Sequence, residues 1–165
     1  MLQRCLVLTL AMALAACSDG AATTADANGD VDADSGIDAP PPIPCRPLVL
    51  GVGNGHHNPG KACLSCHNGS VARARIWTAA GTVYNKSGAA LAGATITLID
   101  ATGKTFDLVS QINGNFYTNL ALTFPVRVSA SSCPLVAAMP KAAIKGDCNA
   151  GDCHGSAMVG KIQLQ

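Results

Sequence analysis

Gly81-Thr82-Val83-Tyr84-Asn85-Lys86-Ser87-Gly88-Ala89-Ala90-Leu91-Ala92-Gly93-Ala94-Thr95-Ile96-Thr97-Leu98-Ile99 sets two short β-branched runs around a turn. Runs of this length, bounded by Gly, Ser and Asn, read as strands. The pattern continues toward the C-terminus. Residues 105–110, 115–119 and 126–130 repeat it, separated by Ala101-Thr102-Gly103-Lys104 and Asn113-Gly114-Asn115. Asn-Gly favours a tight turn because both central residues must take positive φ. Five short strands (81–84, 94–99, 105–110, 115–119 and 126–130) predict a mainly β fold, a small antiparallel sandwich over residues 76–130. Trp77, Tyr84, Phe106, Phe116, Tyr117 and Phe124, all the aromatics of the chain, fall inside this segment and are expected to form its core. Trp77 and Tyr84 as a carbohydrate-binding platform is the alternative use.

The same residues carry a resemblance. Gly81-Thr82-Val83-Tyr84, Leu91-Ala92-Gly93-Ala94-Thr95-Ile96-Thr97-Leu98, Asn113-Gly114-Asn115-Phe116 and Val126-Arg127-Val128-Ser129 resemble the carboxypeptidase-regulatory-like family. That resemblance implies a transthyretin-like sandwich of Ig-like type, with one or two strands supplied by the flanks. It implies no activity, since such sandwiches are accessory modules.

The N-terminus has the anatomy of an export signal. Arg4 precedes an apolar run from Leu6 to Ala16, short for a membrane span. Leu14-Ala15-Ala16-Cys17 resembles the lipobox of bacterial lipoproteins. The resemblance implies removal of residues 1–16, lipid on Cys17 and membrane attachment in the bacterial cell envelope. Ser18 after the cysteine implies the outer membrane, and a transmembrane anchor is the bland alternative. Residues 17–44 read as a tether, poor in large apolar side chains and ending in Ala39-Pro40-Pro41-Pro42-Ile43-Pro44. Asp30, Asp32 and Asp34 alternate, but Ser35 stands where a calcium loop needs glycine, and Pro41 where it needs Glu. A solvated acidic spacer is the default.

Eight cysteines divide by position. Cys5 leaves with the signal and Cys17 takes lipid. Cys63-Leu64-Ser65-Cys66-His67 has the spacing of c-type haem attachment: two thiols form thioethers with the vinyl groups, and the adjacent His binds iron. A zinc site or a redox dithiol are the other chemistries of such a pair. Cys148-Asn149-Ala150-Gly151-Asp152-Cys153-His154 holds four residues between its cysteines. It resembles the CxxxxCH variant of multihaem cytochromes, which implies a second haem c; a local Cys148–Cys153 disulfide is the alternative. Cys45 and Cys133 remain, and a disulfide between them is the simplest assignment in an oxidising compartment. Residues 45–75 and 131–165 are therefore expected to be haem-binding segments flanking the sandwich. Both are rich in glycine and free of aromatics.

Four histidines are present: His56, His57, His67 and His154. Two haems with bis-histidine ligation would use all of them. His56 and His57 are adjacent, so in an extended segment their side chains would point apart, one toward each haem. Met139 and Met158 are alternative distal ligands.

Charge is segregated. Six of ten acidic residues lie in the tether, and from Cys45 onward ten Lys or Arg face four Asp, a net of +6. A basic surface steers acidic redox partners or anionic membranes, and nucleic acid is not expected for an exported chain. The chain has no Glu, no Ser-His-Asp spacing and no zincin motif, so general acid–base catalysis has few candidates. The sequence thus points to a membrane-anchored electron carrier with an unidentified redox partner protein, and not to an enzyme. A non-enzymatic surface-binding lipoprotein whose cysteines hold disulfides or zinc, and a haem sensor with an open iron position, are the other readings.

Overall fold

The computed structural model describes residues 43–155 and 160–165. The signal peptide, the lipobox Cys17, nearly all of the tether and Met158 lie outside the described residues.

Among the described residues, seven strands form a mainly β fold: β1 Ala79–Asn85, β2 Thr95–Ile99, β3 Thr105–Val109, β4 Asn115–Thr118, β5 Arg127–Ser132, β6 Leu135–Ala138 and β7 Ile162–Leu164. They make two sheets, of order β4-β1-β7 and β3-β2-β5-β6. All pairings are antiparallel except β1 with β7. The five sequence-predicted strands are all present. β6 and β7 come from the C-terminal flank. Neither has a strong sequence signal: β6 is four exposed residues and β7 only three.

The core lies between the sheets. Val83, Phe116 and Leu164 from one sheet meet Ile96, Leu98 and Phe106 from the other. Alternation along β4 explains the choice, because successive strand residues face opposite sides: Phe116 points inward and is buried, while Tyr117 points out. The aromatic core expected from sequence is therefore smaller than the aromatic count. Phe106 and Phe116 are buried and Phe124 packs at the margin, but Trp77, Tyr84 and Tyr117 are only half-buried.

β1 is buried along its first five residues. On one edge it pairs with β4 and on the other with β7, and the residues before β7 reach it through Gly146–Cys148. Ala80 N–H donates to the Gly146 carbonyl at 2.9 Å, and Cys148 N–H donates to the Ala80 carbonyl at 2.9 Å. Gly81 makes this approach possible: a Cβ there would lie 2.6 Å from Phe116 Cζ and 2.9 Å from Cys148 Cβ. Any larger residue would push the second cysteine motif off the strand.

The N-terminal flank has no strand of its own but is fastened along the sandwich. Cys45 and Cys133 are joined by a disulfide, with Cα atoms 5.4 Å apart. Cys133 N–H donates to the Arg46 carbonyl, Val49 N–H to Gly93 and Ile112 N–H to Gly53, all at 2.9 Å.

Candidate redox site

A short 3-10 turn, Cys63–Ser65, opens the first motif. Its amides are capped from outside the segment: Leu64 N–H donates to Asp147 Oδ2 at 3.1 Å. Asp147 immediately precedes the second motif, so the two cysteine segments touch. Burial pushes the Asp147 carboxyl above its ordinary value, against the amide donors that would lower it. Its other oxygen is buried without a partner.

A buried polar hub stands behind this contact. Thr82, Asn115 and Asn149 are all buried. Thr82 Oγ1 donates to Asn115 Oδ1 at 2.7 Å, and accepts from Gly60 N–H at 2.8 Å and Asn149 Nδ2 at 2.9 Å. Asn115 Nδ2 reaches the carbonyls of Gly55 and His57, each at 3.0 Å, and Asn149 Nδ2 reaches the Lys61 carbonyl at 3.1 Å. Buried amides find partners wherever geometry allows. Here those partners fix the loop carrying His57 and the residues just before Cys63 onto β1 and β4.

His67 is buried beneath the first motif. Its Nδ1 lies 2.8 Å from the Arg75 carbonyl. A carbonyl only accepts, so Nδ1 carries the proton, and the neutral ring keeps its lone pair on Nε2. His154 repeats the arrangement, with Nδ1 3.0 Å from the Gly160 carbonyl. Metal-ligating histidines typically have the second nitrogen bonded in this way.

His67 also joins an aromatic stack. Its ring centroid is 3.6 Å from that of Trp77 with planes 11° apart, and Trp77 lies 4.3 Å from Tyr117 at 10°. His57 lies on the His67 side, centroid to centroid 6.0 Å. His56 turns instead toward Tyr117 and Arg75, with Nε2 3.5 Å from Arg75 Nη1. The loop that presents them is conformationally demanding: His56 has φ 63° and Asn58 φ 51°. Positive φ outside glycine is uncommon, although Asn and His tolerate it better than most residues.

His56, His57, Cys63, Cys66 and His67 line one cleft of about 100 Å³. Both N-terminal histidines thus belong to the first motif, and neither lines the cavities beside His154. The expectation that one of them faces each haem does not match this arrangement. The second motif has a different neighbour. Cys148, His154 and Met139 line a cavity of about 180 Å³ whose other walls include Ile96, Phe116 and Val128.

The thiols sit in unlike surroundings. Burial pushes the Cys148 thiol up to about 12, with smaller contributions from Cys153, Asp147 and Cys63. Burial, then the Asp147 charge, pushes Cys63 up to about 11. Cys66 is exposed. Among the described residues, no three His, Cys or Asp side chains converge as a ready metal-binding group.

The donor set fits haem c at the first motif: two thiols, a histidine with its Nδ1 committed, and a second histidine across the cleft. The cleft is far smaller than the several hundred Å³ that encloses a drug-sized ligand. A group as large as haem would be held against the surface by its covalent bonds, not swallowed.

Sequence reasoning missed several residues of this site. Trp77 and Tyr117 look like core residues by aromatic character alone, although the alternation along β4 already turns Tyr117 away from the face of Phe116. Thr82, Asn115, Asn149 and Asp147 carry no motif. Nothing in their spacing marks them, because they meet only when β1, β4 and the two flanks assemble. Comparison with family models, curated proteins and solved structures finds no match to this chain.

Proposed function

We propose that this chain is a c-type haem protein that carries electrons at a bacterial cell envelope, anchored through lipid on Cys17. Haem is attached at Cys63 and Cys66 with His67 as iron ligand, and a second haem at Cys148 and Cys153 with His154. The observation that carries this reading is the repeated histidine arrangement. In two separate loops, the histidine following a cysteine pair spends Nδ1 on a backbone carbonyl, the arrangement typical of metal-ligating histidines. Haem iron supplies one-electron chemistry; the chain supplies attachment, ligands and a partly shielded setting. A structural zinc would need four protein ligands, and no such convergence occurs among the described residues. The basic folded part suits an acidic redox partner protein.

The cavities beside each motif support a choice of distal ligands. His57 serves the first haem, with His56 as its alternate, and Met139 serves the second. Methionine raises the potential of an iron centre relative to histidine, so the two haems would differ in potential.

Expression with the cytochrome c maturation machinery, followed by a haem stain on a denaturing gel, tests the reading. A coloured band is expected, and a colourless one refutes it. Cys153→Ala should halve the haem-to-protein ratio, whereas an unchanged ratio would remove the second haem. Met139→Leu should abolish the long-wavelength ferric band of sulfur ligation. Persistence of that band would reassign the ligand to Met158.

A further inference from the structure

We infer that the face formed by Arg73, Arg75, Ile76, Trp77 and Tyr117 is the docking surface for an acidic redox protein, and that the Trp77–Tyr117 stack carries the electron between it and His67. The inference rests on the haem reading of the first motif and names the partner of that site.

Two independent observations meet here. The first is continuity. From buried His67, the rings of Trp77 and Tyr117 follow at 3.6 and 4.3 Å, nearly parallel. Contacts at this distance leave no gap for water, and they connect the candidate iron ligand to the outside of the sheet. Tyr117 and Trp77 emerge in an open depression of about 430 Å³. The second is charge. Arg73 and Arg75 flank that depression and are exposed. Neither has an acidic partner among the described residues. The ion pairs there are Arg46 with Asp107 and Lys145 with Asp152, while Asp100 and Asp147 are held by hydroxyl and amide donors. Ile76, 53% exposed, adds an apolar side chain to the lining of the same depression. Two guanidinium groups with no acidic partner among the described residues, beside an aromatic and aliphatic centre, match a carboxylate-ringed face with an apolar middle.

The redox step is simple in its balance. With haem held at Cys63, Cys66 and His67, one electron would pass from its ferrous iron to a one-electron acceptor of the partner, such as a ferric or cupric centre, leaving the haem iron ferric and that acceptor reduced. No bond forms or breaks and no proton moves. Trp77 and Tyr117 act as the medium and are not themselves oxidised.

Stopped-flow oxidation of the reduced, haem-loaded full chain tests this with two small probes, anionic ferricyanide and cationic hexaamminecobalt(III). For the wild type, the ferricyanide rate should fall as ionic strength rises. The double variant Arg73→Glu/Arg75→Glu should lower the ferricyanide rate at low salt about ten-fold and raise the hexaamminecobalt rate. Tyr117→Leu should slow both probes while leaving the haem-to-protein ratio unchanged. Unchanged rates in the charge-reversed protein would overturn the docking surface. If that variant instead lost co-sedimentation with phosphatidylglycerol vesicles at unaltered ferricyanide rate, the face would belong to lipid and the inference would fail.

A colourless chain would overturn the haem reading and the electron route together. The surface would still be decided on that protein by Trp77, the sole tryptophan. Iodide should quench its fluorescence more than caesium does, and Arg73→Glu/Arg75→Glu should reverse the order. Equal quenching by both ions would reject the basic face.

Discussion

The imidazole of His67 lies flat against the indole of Trp77, 3.6 Å between centroids, while its Nδ1 donates to the Arg75 carbonyl at 2.8 Å. Two contacts of different kinds therefore fix one ring. The carbonyl sets its tautomer and the indole sets its plane. Trp77→Leu removes only the second. Aromatic pairs contribute about 0.5–1.5 kcal/mol beyond the area they bury, so a loss of about 1 kcal/mol in chemical denaturation is expected. If the first motif carries haem as proposed, its incorporation should fall as well, read as the haem-to-protein ratio. A ratio and a midpoint both equal to wild type would show that the stack does not orient His67.

Thr82→Val is nearly isosteric but removes the hydroxyl at the centre of the polar hub. Gly60 N–H, Asn149 Nδ2 and Asn115 Oδ1 then lose their common partner. An unsatisfied buried polar group costs about 1–3 kcal/mol, so the variant should lose at least that much stability. The loss should be accompanied by faster amide exchange around Gly60 and Asn149, since the hub ties both cysteine segments to β1. Loss of stability without faster exchange there would mean that the hub supports the sandwich and not the site.

The disulfide between Cys45 and Cys133 closes a loop of 88 residues. On chain-entropy grounds, a cross-link of that span stabilises by about 4–5 kcal/mol. Cys45→Ser/Cys133→Ser should lower the denaturation midpoint accordingly. Non-reducing peptide mapping of the wild type should recover the Cys45–Cys133 pair; any other pairing of these residues would contradict the fold of the N-terminal flank.

Asp100 ends β2 and organises the turn that follows. Its Oδ1 accepts from the Thr102 hydroxyl at 2.6 Å and from the amides of Thr102 and Lys104, holding the carboxyl below its ordinary value near 3.8. A folded value below the unfolded one means that the carboxylate form favours folding. That stability is complete above about pH 5 and is lost as pH falls through the folded value. Asp100→Asn should therefore be less stable than wild type at neutral pH, with the difference shrinking below pH 4. A constant difference across that range would assign the loss to packing and not to charge.

Much of this molecule is legible without coordinates. The five strands from 81 to 130 follow from β-branched runs and from turns such as Asn113-Gly114, because strand and turn preferences are local. The pairing of Cys45 with Cys133 is the simplest assignment the sequence offers, and their separation in space decides it. The cysteine-histidine spacings are local too, since each motif lies within one short piece of backbone.

What only the tertiary structure decided is which of these pieces meet. β6 and β7 are too short and too weakly patterned to announce themselves; they exist because β5 and β1 offer unpaired edges. His56 and His57 look equivalent in sequence. The Asn115 anchor and the positive φ values at His56 and Asn58 set the loop in which His57 lies toward His67 and His56 toward Tyr117. Met139, just past the end of β6, lines one cavity with His154, a proximity that no sequence spacing announces. The sequence by itself determined a β-sandwich bearing two cysteine-histidine motifs. The contact of those motifs across β1, and the stack that leads from His67 to the surface, depend on long-range packing and buried polar bonding that no local pattern encodes.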